Sequence, residues 1–498
     1  MAEGDSLGKD KTSPREGQSH RDAPDKPIPD STRWWILANV SVGTFMAVLD
    51  GSIANVALPS ISGSLHVPLH VVQWVVTAYL LTISALLPIV GKISDLFGKT
   101  RIYNIGFILF AAGSALCALA GSIPILISMR VLQAIGASFL MANSQAIVAQ
   151  TFPTKERGRA LGIVGTVVSV GSLAGPAIGG VLIGSFGWPS IFWVNVPIGV
   201  LGFFAALKVL PKSAGLQKKE PFDYPGSVLF MAGMILLLYT VSNAQTWGWS
   251  SPVSIGGMVG ALLFLLLFYF REKRTRFPML DLSLYRIRPF SMGTTAALLS
   301  FVSLFCTNIM MPFYMQNALH FSPQLTGYTM AAYPLTMAVV APFSGWLSDK
   351  IGPMILTTAG LFLNALGFVS LNMLGLHAGV WTIALHMAVF GIGQGMFQSP
   401  NNSSIMGSVP RSKLGIAGGY NALVRNVGMV LGIALSVSLF SYRLQSLTGR
   451  PEIYGNQTAQ PEAFMGALHT VFWAAAVVCL LGVAFSFVRK PRSQALAS

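Results

Sequence analysis

The chain has 498 residues, of which 53% are hydrophobic and only 10% are charged. Soluble domains carry about 25% charged residues, so this composition excludes a soluble globular fold and indicates a polytopic membrane protein. The formal net charge is +15, but the basic residues follow membrane loops, so nucleic acid is not expected as a partner.

Residues 1–33 are polar and rich in Pro, Ser, Asp and Lys, and are expected to form a disordered cytoplasmic tail. They lack the apolar centre of a signal peptide. Trp34 and Trp35 then open the first apolar run, a pair suited to a membrane interface. With a window of about 20 residues per crossing, fourteen spans are expected, at 34–57, 71–91, 102–121, 123–150, 160–183, 190–210, 225–244, 252–270, 290–312, 325–347, 354–374, 379–402, 416–440 and 465–488. If the N-terminus is cytoplasmic, the alternating loops place 22 lysines and arginines inside and only Arg443 and Arg450 outside, the tail not counted. The positive-inside rule then puts both termini in the cytoplasm of a cell-membrane protein. Loop 271–288 is basic enough to touch anionic membrane lipid as well.

Cys117, Cys306 and Cys479 all lie in apolar runs and read as core thiols. No zinc-type Cys/His spacing, Walker loop or strand-linked dinucleotide fingerprint is present. No metal or cofactor is expected, and neither is an enzyme, since no cluster of catalytic Ser, His and Asp can be read. Energy-driven work would have to use an ion gradient.

An internal repeat organises the spans. Gly91, Ser94, Asp95 and Gly98 recur as Gly345, Ser348, Asp349 and Gly352 at an offset of 254. Gly136, Pro153, Gly158, Gly162, Gly171 and Gly175 recur as Gly393, Pro410, Gly415, Gly419, Gly428 and Gly432 at an offset of 257. The expected organisation is all-α: a six-helix bundle at 34–210, an inserted two-helix linker at 211–289 and a parallel six-helix bundle at 290–488, followed by a short cytoplasmic tail at 489–498. Two parallel repeats facing a midplane cavity form a transporter architecture.

Of the 17 acidic residues, only Asp50 lies inside an apolar run. A carboxylate there costs about 2.5–3.5 kcal/mol on insertion scales, which marks it as a functional group. At 1.5 Å per residue, Asp50 lies about 12 Å from the outer end of span 1, and Arg130 about 9 Å from the outer end of span 4. The two are therefore expected at similar depth, with Arg130 tuning the Asp50 carboxyl as a proton-coupling pair.

Several stretches resemble the major facilitator superfamily, and more narrowly its fourteen-span drug:proton antiporters. The loop Gly91, Asp95, Gly98 and Arg101 looks like the superfamily's signature between spans 2 and 3, echoed at Asp349. Gly171, Gly175, Pro176, Gly179 and Gly180 in span 5 resemble its antiporter motif. Arg130, Gln133 and Gly136 resemble its span-4 arginine motif, with Ala134 where a glycine is usual. The stretch from Leu49 to Pro59, and that from Trp188 to Gly199, are similar to span-1 and span-6 motifs of the narrower group. This resemblance implies a conformational latch at the cytoplasmic loops, a sealing surface on span 5 and spans 1 and 4 lining the cavity. It also implies proton-coupled efflux of amphipathic drugs by alternating access, with a periplasmic adaptor protein as a partner that the family allows.

Candidate cavity residues are Gln133, Asn308, Tyr314, Tyr333, Gln394, Gln398 and Arg425. Amides and aromatics suit a loosely selective site for amphipathic molecules. Arg425 has no acidic partner in any span; it is expected to bond carbonyls or Asn421 and Asn426, or to face an anionic group. His386 and His469 read as interfacial or hydrogen-bonded. The alternative is a dedicated exporter or flippase of one metabolite or organic anion; a membrane sensor or enzyme is disfavoured.

Overall fold

The computed structural model describes residues 29–211, 222–275, 280–410, 413–449 and 460–488. Most of the two tails and part of the linker lie outside them. The described residues contain helices and no strand.

The fourteen expected spans are present, several of them longer than the apolar count. Span 1 is Asp30–Leu65. Span 2 is Trp74–Phe97, after a short turn of helix at Leu69–Val72. Spans 3, 4 and 5 are Lys99–Ala118, Ile123–Thr151 and Thr154–Phe186. Span 6 is Asn195–Val209, entered through Ser190–Trp193. Spans 7 and 8 are Tyr224–Trp247 and Pro252–Arg274. Span 9 is Arg288–Phe313, prolonged by a π-helical turn at Tyr314–Ala318. Span 10 is split into Pro323–Met330 and Ala332–Ile351. Spans 11 to 14 are Pro353–Leu371, Val380–Gly407, Leu414–Thr448 and Pro461–Phe487. Thirteen of these are long and apolar enough to cross a bilayer. Span 5, 33 residues long, has its apolar segment at Ala174–Phe186. In the remainder, Gly171 lies against span 1, where a Cβ would stand 3.3 Å from the Phe45 carbonyl.

The repeat is physical. Gly98 and Gly352, 254 residues apart, both turn with left-handed backbone at φ 93° and 86°, which a side chain would strain. At the other end, His66 and His320 share the same offset and the same conformation, at φ 52° and 56°. Spans 3 and 4 touch through Gly106 and Gly136, and spans 11 and 12 through Gly360 and Gly393. A Cβ at Gly136 would come within 2.8 Å of the Gly106 carbonyl, and one at Gly393 within 2.8 Å of the Gly360 carbonyl. Span 5 lies equally close on span 1, where a Cβ at Gly175 would stand 2.7 Å from the Ile53 nitrogen. Small residues thus replace the hydrophobic drive that is absent between helices in lipid.

One face of the bundle carries the basic turns, including Lys350 and Lys413. There the Lys413 ammonium lies 2.6 Å from Asp281. Burial lifts the Asp281 carboxyl, but hydrogen bonds from Lys413 and Ser283 outweigh it and hold the group below its usual range. The small stability this gives is present above the ordinary carboxylate pKa and fades as pH falls through the lowered one.

The halves meet near the opposite, distal face. Gln316 donates to the Val56 carbonyl at 3.1 Å. Span 5 also closes on the first segment of span 10: a Cβ at Gly180 would lie 2.7 Å from Gly327 Cα, and one at Gly327 would lie 2.7 Å from the Pro176 carbonyl. Substituting Gly180→Val therefore overpacks backbone against backbone, at about 1–3 kcal/mol. The expected outcome is about tenfold or more depletion of the distally closed state, read as faster labelling of a cysteine at Gln324 from that side. Unchanged labelling would show that this contact does not hold the distal face shut.

Candidate functional site

Asp50 and Arg130 form an ion pair with no exposed side-chain surface, Arg130 Nη1 donating to Asp50 Oδ2. The other carboxylate oxygen, Oδ1, accepts from Gln133 Nε2 and from Asn195 Nδ2, each at 2.8 Å. Gln133 is held from both sides: its Oε1 accepts from Arg130 Nη1 at 2.7 Å, and its Nε2 also donates to Ser114 Oγ at 2.7 Å. Arg130 Nε donates to the Val75 carbonyl at 2.8 Å. The Tyr79 ring lies against the guanidinium, 4.1 Å from its carbon to the ring centroid, and the Phe192 ring lies at 5.5 Å.

Five spans supply these groups. Gly113 lets span 3 approach span 4 so closely that a Cβ there would stand 2.7 Å from Gln133 Cα. Ser114, one residue on, can then reach the Gln133 amide. Pairing in a low dielectric offsets a desolvation cost of several kcal/mol per ion only when the remaining lone pairs are also satisfied, and this shell satisfies them for Asp50.

Tyr79 and Asn195 escape the sequence reading as site residues. Tyr79 is one aromatic in an apolar run with no local signal. Asn195 stands out only as the polar residue opening span 6 just ahead of Pro197. Tyr79 donates to the Ala47 carbonyl at 2.7 Å, one turn before Asp50. It presents its ring to Arg130 on one side and lines a cavity on the other.

That cavity lies between the halves. Ala47, Gly51 and Ser52 of span 1, Tyr79 of span 2 and Met141 of span 4 form one side. Phe301, Phe305 and Asn308 of span 9, Tyr333 and Met337 of span 10, Gln398 of span 12, and Arg425, Asn426 and Met429 of span 13 form the other. Its mixture of apolar walls with few polar groups is that of a small-molecule site.

Three candidates lie elsewhere. Gln133 belongs to the ion-pair shell, because the carboxylate and guanidinium together satisfy both ends of its amide. Tyr314 is buried and donates to the Gly375 carbonyl at 2.6 Å, so the π-helical turn points it into the distal loop. Gln394 stands behind the wall, bonding Ser300, Asn364 and Gln398 at 3.1, 3.2 and 3.0 Å. Arg425 bonds neither Asn421 nor Asn426; Asn421 donates to Asn402 at 2.9 Å instead. His386 approaches the Thr382 carbonyl at 2.7 Å, and His469 the Leu374 carbonyl at 3.2 Å. A Cβ at Gly91 would meet nothing within 4 Å among the described residues. Arg101 is exposed on the basic face. The side chains of Asp95 and Asp349 lie outside the described residues.

Two parallel six-helix repeats around a central cavity, with a buried ion pair beside it, define a membrane transporter of small molecules. The family model of the Major Facilitator Superfamily matches residues 40–433 and again 293–498, and the chain belongs to that superfamily. It is 36% identical to the riboflavin transporter RibZ of Clostridioides difficile, across 92% of this chain and 98% of that one. It is 32% identical to the multidrug resistance protein Stp of Mycobacterium tuberculosis, across 82% of this chain and 76% of that one. With the tetracenomycin C resistance and export protein of Streptomyces glaucescens it shares 31% identity, covering 82% and 76% respectively. Its fold matches the crystal structure of a bacterial homolog of the human lysosomal transporter Spinster, inward-facing and unoccupied, with a TM-score of 0.64 at 16% identity over 93% of this chain and 98% of that one.

Removing one member of the pair leaves the other buried and unpaired. Arg130→Ala is expected to cost about 3–5 kcal/mol, read as a fall in melting temperature. Adding Asp50→Asn removes the stranded charge and should recover part of that loss. Simple addition of the two single effects would mean that the side chains do not interact.

Proposed function

We propose that the chain is a proton-coupled exporter of amphipathic small molecules, with Asp50 as the proton carrier and Arg130 as the group that tunes it. One observation carries this reading: the fully buried carboxylate of Asp50 is paired with Arg130 and lies next to Gly51 and Ser52, which line the cavity. Burial favours the neutral acid, while the guanidinium and the two amides favour the carboxylate. The balance is poised to change when the shell changes. Protonation ends the ion pair, yet Val75, Gln133 and the Tyr79 ring still hold the guanidinium. Asp50 is thus the member free to move, and span 1 moves with it.

Tyr79 touches both compartments and supports a link between them. A substrate pressing on its ring would disturb the bond to the Ala47 carbonyl and the backing of Arg130. The basic face is cytoplasmic in this reading, and the contacts of Gly180 with Gly327 and of Gln316 with Val56 close the route outward. Rocking of the halves would open the distal face and close the basic one, with Gly98 and Gly352 as the fixed turns of its latch and Gly171, Gly175, Pro176 and Gly179 as the sliding surface. The exporter relatives support efflux. The 36% identity to a riboflavin transporter across nearly the whole chain favours a second reading, export of one planar metabolite through the same aromatic-walled cavity.

Purified protein, wild type beside Asp50→Asn, tests the reading by substrate-induced proton release over cationic, neutral and anionic amphipaths, riboflavin included. Release by the wild type and none by the variant is expected. Equal release from both would remove Asp50 as the carrier. A response to riboflavin alone would establish the second reading.

A further inference from the structure

The charge inside the cavity is one-sided. Arg425 lines it and is only 9% exposed, and no described residue supplies it with a hydrogen bond or an ion pair. No carboxylate stands among the lining residues. Asp50, in the opposite half, has both oxygens occupied by Arg130, Gln133 and Asn195. The neighbouring polar groups are biased the same way. Asn426 is 3% exposed and its side-chain Nδ2 has no partner. Gln398 spends its carbonyl oxygen on Gln394 Nε2 at 3.0 Å, leaving its own amide N–H groups for the cavity. The walls beside these donors are apolar and flat or pliable: Tyr79, Phe301, Phe305, Met337 and Met429.

An uncompensated guanidinium in a low-dielectric site is costly to bury. Its planar fork matches a carboxylate or sulfonate through two parallel hydrogen bonds. We propose that Arg425, with the Asn426 and Gln398 amides, forms an anion subsite, and that the cavity takes aromatic amphipaths bearing one acidic group. This assignment rests on the cavity being the substrate site of the proposed transporter. Guanidinium and ligand anion neutralise each other, the ring system packs on the aromatic and methionine walls, and the Asp50–Arg130 pair stays intact behind Tyr79. Binding of such a ligand leaves the proton carrier with its own counter-ion, so charge recognition and proton coupling use separate arginines.

The test measures binding without a proton gradient, so it stands or falls apart from the coupling role of Asp50. The full chain in phosphatidylcholine nanodiscs is titrated at pH 5.5 against fluorescein, mostly a monoanion there, and rhodamine 123, a cation with the same ring system, by fluorescence polarisation. The wild type is expected to bind fluorescein more tightly, by about tenfold or more, the range of hydrogen bonds to charged groups. Arg425→Gln should abolish that preference, and Arg425→Lys should keep part of it. A wild-type preference for rhodamine 123 would overturn the proposal without need of any variant. So would an equal loss of both dyes in a folded Arg425→Gln protein. Repeating the titration in phosphatidylglycerol nanodiscs separates a soluble anion from a lipid headgroup: unchanged fluorescein affinity supports the subsite, and displacement by the anionic lipid would reassign the guanidinium to lipid.

Discussion

The buried pair of Asp50 and Arg130 is the constraint on which the first half of the molecule depends. Two unit charges withdrawn from water are costly unless the rest of their hydrogen-bonding capacity is largely met. Meeting it, for all but Arg130 Nη2, takes span 4 for Arg130 and Gln133, span 3 for Ser114, span 6 for Asn195 and span 2 for the Val75 carbonyl and the Tyr79 ring. Those helices can converge because their contacts are made by glycine. Gly113 and Gly136 seat span 3 on span 4, and Gly171 and Gly175 seat span 5 on span 1. The polar network and the small-residue seams are therefore one design: the seams fix the helix spacing within which a 2.8 Å bond between spans 1 and 6 can form.

The two halves repeat in backbone and differ in chemistry. At the offset of 257 that aligns Gly136 with Gly393, Arg130 corresponds to Met387 and Gln133 to Phe390. The second half has an apolar interior where the first has its ion pair. It contributes instead Arg425 and a set of amides that face the cavity directly. One scaffold thus holds a hidden acid–base pair on one side and a cavity-lining cation on the other, with Tyr79 as the partition between pair and cavity. Separation of this kind lets a proton site keep a fixed environment while the cavity wall accommodates ligands of varied shape.

The sequence alone was enough to find the spans, the repeat and the expensive groups. Each of these is a local property. Apolar length sets a crossing, the basic loops alternate with it, and an acid in an apolar run costs free energy wherever its helix packs. The repeated glycines Gly98 and Gly352 prove in the structure to be left-handed turns. Asp50 and Arg130 could be matched in depth because rise per residue is fixed.

Which face of each helix meets which neighbour was decided only in the tertiary structure. A helix that is apolar all round has no amphipathic stripe to orient it, so nothing in the chain separates Tyr79, against Arg130, from Tyr314, turned away to Gly375. The same gap assigned Gln133 to the cavity and left Asn195 without a role, although both amides complete the Asp50 shell. Rotation of a span about its own axis is fixed by glycine seams and hydrogen bonds to residues as many as 260 positions away, and that information resides in the packing of all the spans together.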